Sequence, residues 1–139
     1  MEKQSKKIAV LILNWNGKEL LDRFLPSVLK FSTQAEVIVV DNASVDDSTS
    51  YLQNNFPETR IISFEKNLGF AEGYNEALKR VDHEYVVLLN SDVRVTQSWL
   101  KAPLEFLEAN PIYAACQPKI KDEKAPNMFE YAGASGGYI

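Results

Sequence analysis

The segment Tyr85-Val86-Val87-Leu88-Leu89-Asn90-Ser91-Asp92 passes from an apolar run straight into a polar tip. Side chains along an extended chain alternate in direction, so the Asn90 amide and the Asp92 carboxylate point the same way. Oxygen donors placed like this suit a hard divalent cation, because Mg²⁺ commonly sits between one or two carboxylates and substrate phosphates. A strand that merely runs into an Asn-Ser-Asp turn would look the same. The tripeptide gains weight from three further polar clusters that follow strand-like runs: Asn14-Trp15-Asn16-Gly17, Asp41-Asn42-Ala43-Ser44, and Asn67-Leu68-Gly69-Phe70-Ala71-Glu72-Gly73. Singly, each has a structural explanation, with Asn16 and Ser44 as helix caps and Gly69 and Gly73 as points of helix–strand packing. Four polar strand ends together are harder to explain that way.

The elements that must position them alternate. Ile8 to Leu13 is an unbroken apolar run, as expected of a strand covered on both faces. Asn16, with Glu19 behind it, predicts the start of a helix whose stripe is Leu20, Leu21, Phe24, Leu25, Val28 and Leu29, with a kink or shortening at Pro26. Val37 to Val40 reads as the second strand. A Ser44/Asp47 capping box then opens a helix lined by Val45, Thr49, Leu52 and Phe56. Arg60 to Phe64 and Tyr85 to Leu89 read as the third and fourth strands, separated by a helix on Phe70, Tyr74, Ala77, Leu78 and Val81. Thr96 predicts the cap of a last helix to about Ala109, and Ile112 to Gln117 a fifth strand. Such alternation implies an α/β, Rossmann-like, mostly parallel sheet flanked by helices, whose ligands bind outside the carboxyl ends of its strands.

Composition narrows the function classes. A chain of 139 residues suits a single domain, and its net charge of −4 argues against a nucleic-acid surface. No apolar run approaches the ~20 residues of a membrane span, and Met1 to Lys7 reads as a polar, flexible lead-in rather than a signal peptide. With one cysteine and one histidine, neither an intramolecular disulfide nor a sequence-local zinc site is expected, which fits a cytoplasmic protein. His83 reads as solvated, Cys116 as a small buried hydrophobe, and Trp99 as core. Trp15 reads either as core or as a wall beside a bound base.

The four clusters, in this order, resemble the N-terminal half of a family-2 glycosyltransferase with the A-type nucleotide-sugar transferase fold. The matching pieces are Val10-Leu11-Ile12-Leu13-Asn14-Trp15-Asn16-Gly17, Val39-Val40-Asp41-Asn42-Ala43-Ser44 with Asp46-Asp47-Ser48, Asn67 to Asn75, and Leu88-Leu89-Asn90-Ser91-Asp92. The Asn-Trp-Asn-Gly opening is most similar to rhamnosyltransferase-like members acting on bacterial surface polysaccharides. The resemblance implies a UDP- or dTDP-sugar donor and a glycan or lipid-linked acceptor. It implies a donor-nucleotide site on Asn14, Asn16, Gly17, Asp41, Asn67, Gly69, Gly73, Asn90 and Ser91. Asp92, with Asn90 beside it, would hold Mg²⁺ or Mn²⁺. Asn90 departs from the family's Asp-x-Asp pattern and removes one charge from that metal site.

The family also implies a general base in an acceptor-binding half, expected beyond Ile139. Glu123 and Glu130 match no motif and read as surface residues. The 139 residues are therefore expected to carry the donor site with weak or no transfer activity alone. A peripheral position at the inner face of the membrane and self-association through an exposed edge are further expectations. Two other readings stand beside the transferase. A non-catalytic nucleotide-sugar-binding module would bind without transfer. A sugar-phosphate nucleotidyltransferase would carry a glycine-rich basic loop where this chain has Asn-Trp-Asn-Gly.

Overall fold

The computed structural model describes residues 6–131. Most of the lead-in at residues 1–7, the Glu130 side chain and the glycine-bearing end lie outside what is described. The chain divides into two compact units, residues 1–97 and 98–139.

In the first unit, strands β1 (Ile8–Asn14), β2 (Ala35–Asp41), β3 (Arg60–Ser63) and β4 (Tyr85–Asn90) form one parallel sheet in the order β3-β2-β1-β4. Helices α1 (Lys18–Phe31), α2 (Ser48–Asn55) and α3 (Gly69–Leu78) connect them. Two crossovers step outward from β1 to β3, and the third returns past β1 to β4. The direction therefore reverses between β1 and β4, the switch point at which open α/β sheets bind ligands. The register levels the strand ends: Asn14 pairs with Asp41, Leu13 with Asn90, and Asp41 with Ser63.

Strand alternation divides the core. Ala9, Leu11, Ile38, Val40 and Ile62 pack with Tyr74 and Ala77 of α3, extended by Leu13, Leu68, Val81 and Val86. Val10, Ile12, Val37 and Val39 take the opposite face, the side on which Leu21, Phe24, Leu25 and Val28 of α1 and Leu52 of α2 are buried. Gly73 lets α3 lie close to β1, since a Cβ there would come within 3.0 Å of Leu13 Cδ1. The helix α1 continues through Pro26 to Phe31, so it is not shortened there. Pro26 lies on the exposed face, where water can serve the carbonyl that its missing N–H leaves free. α2 starts later than its stripe suggested, and Val45 is 90% exposed.

The second unit holds α4 (Lys101–Ala109) and a short antiparallel pair, β5 (Ile120–Lys121) with β6 (Phe129–Tyr131). No strand forms over Ile112 to Gln117. Asn110 and Pro111 open a turn closed by Tyr113 N–H on the Asn110 carbonyl, and Ile112 points into solvent, 88% exposed. Cys116 is also exposed, not buried as its alanine neighbours suggested. Among the described residues no helix is long and apolar enough to cross a membrane.

Candidate functional site

The carboxyl ends of β1 and β2 meet in a buried polar cluster. Asn14 and Asp41 are register partners with side chains on the same face, at 1% and 4% exposure. Asn14 Nδ2 donates to Asp41 Oδ1 and to Ser44 Oγ, each at 3.2 Å. The Ser44 backbone N–H donates to the other Asp41 oxygen, Oδ2, at 3.2 Å. Each Asp41 oxygen thus has one partner here and keeps acceptor capacity for another. Asn14 Oδ1 is buried with no hydrogen-bond partner among the described residues.

The Asn16 side chain closes this corner rather than capping α1. With φ of 52°, it accepts at Oδ1 from Val45 N–H at 2.7 Å and Asp46 N–H at 3.3 Å. Its own N–H donates to Ser44 Oγ at 2.9 Å. Ser44 is likewise a loop-to-loop tie and not a helix cap. Asp46 accepts from Lys18 N–H at 3.3 Å and from Ser48 N–H at 3.0 Å. Partial burial works against the Asp46 carboxylate, yet the bonds from Ser48 and Lys18 prevail and hold its pKa below the ordinary value. Gly17 is the residue before α1, and its hydrogen is required: a Cβ would stand 2.5 Å from Asn14 Oδ1. An open cleft of about 420 Å³ lies between the starts of α1 and α2, lined by Asn16, Gly17, Lys18, Asp46 and Asp47 among others. Asn14 and Asp41 are not in its wall.

Asn42 faces the other way. Its Oδ1 accepts from Leu68 N–H at 2.9 Å, and its Nδ2 donates to Asn67 Oδ1 at 2.9 Å and to the Gly69 carbonyl at 3.0 Å. Gly69 adopts φ of 74°, a left-handed conformation that glycine tolerates. Motif reading counted Asn42 and Ser44 in the polar strand end but missed their tertiary ties to the Asn67–Gly69 turn and to Asn14 and Asn16. Strand parity was the available signal, because it assigns Asp41 and Asn42 to opposite faces.

At the end of β4, Asn90 and Asp92 are exposed and Ser91 is half-buried. The Tyr74 hydroxyl, on α3, donates to the Leu89 carbonyl at 2.9 Å and so ties that helix to the residue before the tip. Burial pushes the Tyr74 phenol pKa up. β4 ends at Asn90 and the chain turns at Ser91 and Asp92, so strand alternation does not by itself aim the two side chains the same way. An amide and a carboxylate open to solvent are still oxygen donors of the type that suits a divalent cation completed by substrate phosphates. Among the described residues, no three His, Cys, Asp or Glu side chains gather in a way that could hold a metal by themselves. Trp15 is 59% exposed, which removes the core alternative.

His83 lies in the turn before β4, at the opposite end of the sheet, and is not solvated. Its side chain is 9% exposed, with Nε2 3.0 Å from Glu36 Oε2, which Arg60 also approaches at 3.6 Å.

The parallel sheet flanked by helices matches the A-type glycosyltransferase fold of solved proteins. The model of the family "Glycosyl transferase family 2" matches residues 9–132, and the chain belongs to that family. It is similar to poly-beta-1,6-N-acetyl-D-glucosamine synthase of Staphylococcus epidermidis, 25% identical over 142 residues, covering 96% of this chain and 34% of that protein. Among solved structures it is similar to S. aureus TarS 1–349 in complex with UDP, with TM-score 0.65 and 25% identity over 76% of this chain and 33% of that one. It also shares its fold with the mannosyltransferase PcManGT from Pyrobaculum calidifontis, in complex with GDP-Man and Mn²⁺. There the TM-score is 0.65 at 20% identity, covering 86% of this chain and 35% of that one. The chain thus spans about a third of the length of these proteins.

Proposed function

We propose that these residues form the donor-binding portion of an inverting glycosyltransferase. It takes a sugar from a UDP- or dTDP-sugar and delivers it to a glycan or lipid-linked acceptor during assembly of bacterial surface polysaccharide. The observation that carries this reading is the buried Asn14–Asp41–Ser44 cluster at the strand ends, whose carboxylate retains acceptor capacity. A uracil or thymine N3–H is a donor of the kind that capacity would take. Asn14 fixes the carboxylate, and Asn16 and Gly17 keep the β1–α1 loop close enough for backbone contacts. The exposed Trp15 ring offers a face to the base.

The diphosphate would lie toward the Asn67–Gly73 segment, where the α3 amino terminus offers backbone N–H groups and Gly69, at φ of 74°, gives the turn its left-handed step; Gly73 would serve from beneath, by seating α3 against β1. Asn90 and Ser91 would supply polar contacts at the β4 tip. Asp92, with Asn90, would hold Mg²⁺ or Mn²⁺. That ion, when bound, offsets charge on the departing diphosphate. Binding, orientation of the diphosphate and exclusion of water are the tasks of the chain's own residues. Inverting transfer further needs a general base for the acceptor hydroxyl, and we assign it to sequence outside these 139 residues. In this reading the protein works at the inner face of the membrane, as a peripheral protein and in a form able to self-associate.

Calorimetric titration with UDP and dTDP, with and without Mn²⁺, tests the proposal. Metal-dependent binding of one of them is expected, and Asp41→Ala should weaken it about tenfold or more through loss of a charged acceptor. Equal binding by the parent and Asp41→Ala would remove the nucleotide site from the β2 end.

A further inference from the structure

The donor-site reading uses Asp41 but gives no task to Asn42, which is 2% exposed. All of the structure's bonds to the Asn42 side chain go to one short segment: Leu68 N–H, Asn67 Oδ1 and the Gly69 carbonyl. Asn67 Oδ1 accepts in turn from Gly69 N–H at 2.7 Å, so the turn is closed on itself and anchored from β2 by a single amide. Only an amide supplies an acceptor on one arm and two donors on the other in this space. A carboxylate of the same shape would turn an acceptor toward Asn67 Oδ1 and the Gly69 carbonyl, and an apolar side chain would leave all three groups unserved. Asn42 is also placed to transmit position. The Gly69 that it holds, at φ of 74°, is the first residue of α3, and Gly73, the next turn of that helix, has its Cα hydrogen directed toward Leu13 with Asn42 Nδ2 close by.

We propose that Asn42 is a positioning residue of the donor site. It sets the Asn67–Gly69 turn, and with it the N–H groups at the start of α3, in the place where the donor diphosphate binds, and does not itself touch the nucleotide. This rests on the donor-site reading. The division of labour follows from strand parity: Asp41 serves the base from one face of β2, and Asn42 orders the phosphate-side turn from the other.

A base-only ligand separates the two roles. The whole 139-residue chain is titrated with UDP and with uridine, both in Mn²⁺, as the parent, Asn42→Ala and Asn42→Asp. Thermal melting checks that each is folded. Asn42→Asp keeps the side-chain volume and the acceptor for Leu68, so it serves should the alanine variant not fold. Both variants are expected to bind UDP about tenfold or more weakly while uridine affinity stays within about twofold of the parent. Unchanged UDP binding by the variants, or equal losses for UDP and uridine, overturns the positioning role while leaving the donor site in place. A folded parent that binds neither ligand refutes the donor-site reading, and the positioning role with it.

Discussion

Gly17→Ala is the sharpest test of how the strand-end cluster is built. A Cβ at Gly17 would stand 2.5 Å from Asn14 Oδ1, well inside contact distance, and the Asn14 amide is 1% exposed with little room to retreat. To clear the methyl group, Asn14 must rotate and give up its bonds to Asp41 and Ser44, both 3.2 Å long. A bond to a charged partner contributes about 1.5–3 kcal/mol and a neutral one about 0.5–1.5 kcal/mol, so the loss is about 2–4.5 kcal/mol. Gly17 has φ of −111°, which alanine adopts without strain. Reduced unfolded-chain entropy therefore returns about 0.4–1 kcal/mol. The net cost is about 1–4 kcal/mol, which lowers a urea midpoint by about 1 M at a typical slope. Urea unfolding of the parent, Gly17→Ala, Asn14→Ala and the double variant gives the coupling energy. In the Asn14→Ala background the glycine substitution should cost almost nothing. A Gly17→Ala chain within about 0.5 kcal/mol of the parent would refute the reasoning, since surface changes normally fall in that range. The same cost in both backgrounds would refute it too.

Three further outcomes follow from the same geometry. The Tyr51 hydroxyl donates to Asp22 across α1 and α2, and this bond first, with desolvation next, raises its pKa to about 12. The unfolded phenol ionises near 10, so this contribution to stability is full below that pH and is lost as pH rises toward 12; the stability difference between the parent and Tyr51→Phe should shrink over that window. The Asp46 pKa lies below 3.8, so its contribution is present above that pH and disappears as pH falls toward the folded value. Urea midpoints of the parent and Asp46→Asn should accordingly differ by a constant amount above 3.8 and converge below it. Trp15→Ala, at an exposed position, should leave the melting temperature near that of the parent while weakening UDP by about 0.5–1.5 kcal/mol, the scale of a lost aromatic contact; calorimetry reads the second and a melt the first.

Much of the sheet could be read from sequence because its apolar runs are buried on both faces. Ile8 to Leu13 and Val37 to Val40 have no other stable place, and the polar residues that end them fall at the switch point. The loops were less readable. Asn16 and Ser44 carry the residue types of helix caps, yet they bond to each other's loops across 28 residues of sequence, a tertiary competition that local capping rules do not see. His83 sits among polar neighbours that suggest solvent, and its pairing with Glu36 depends on the β2 start lying beside that turn. The fifth strand failed because apolar character at Ile112 does not supply a pairing neighbour; the Asn110–Tyr113 turn takes the chain elsewhere.

The central claim is that a nucleoside diphosphate and a divalent cation bind at the carboxyl ends of the first unit's strands. Amide-resolved NMR of the chain titrated with UDP and trace Mn²⁺ tests it most directly. Shifts confined to residues 14–17, 41–44 and 67–73, with paramagnetic broadening centred on Asn90 to Asp92, are the predicted result. Broadening centred instead on Glu19, Asp46 and Asp47, or no ligand-dependent change in a folded chain, would contradict it.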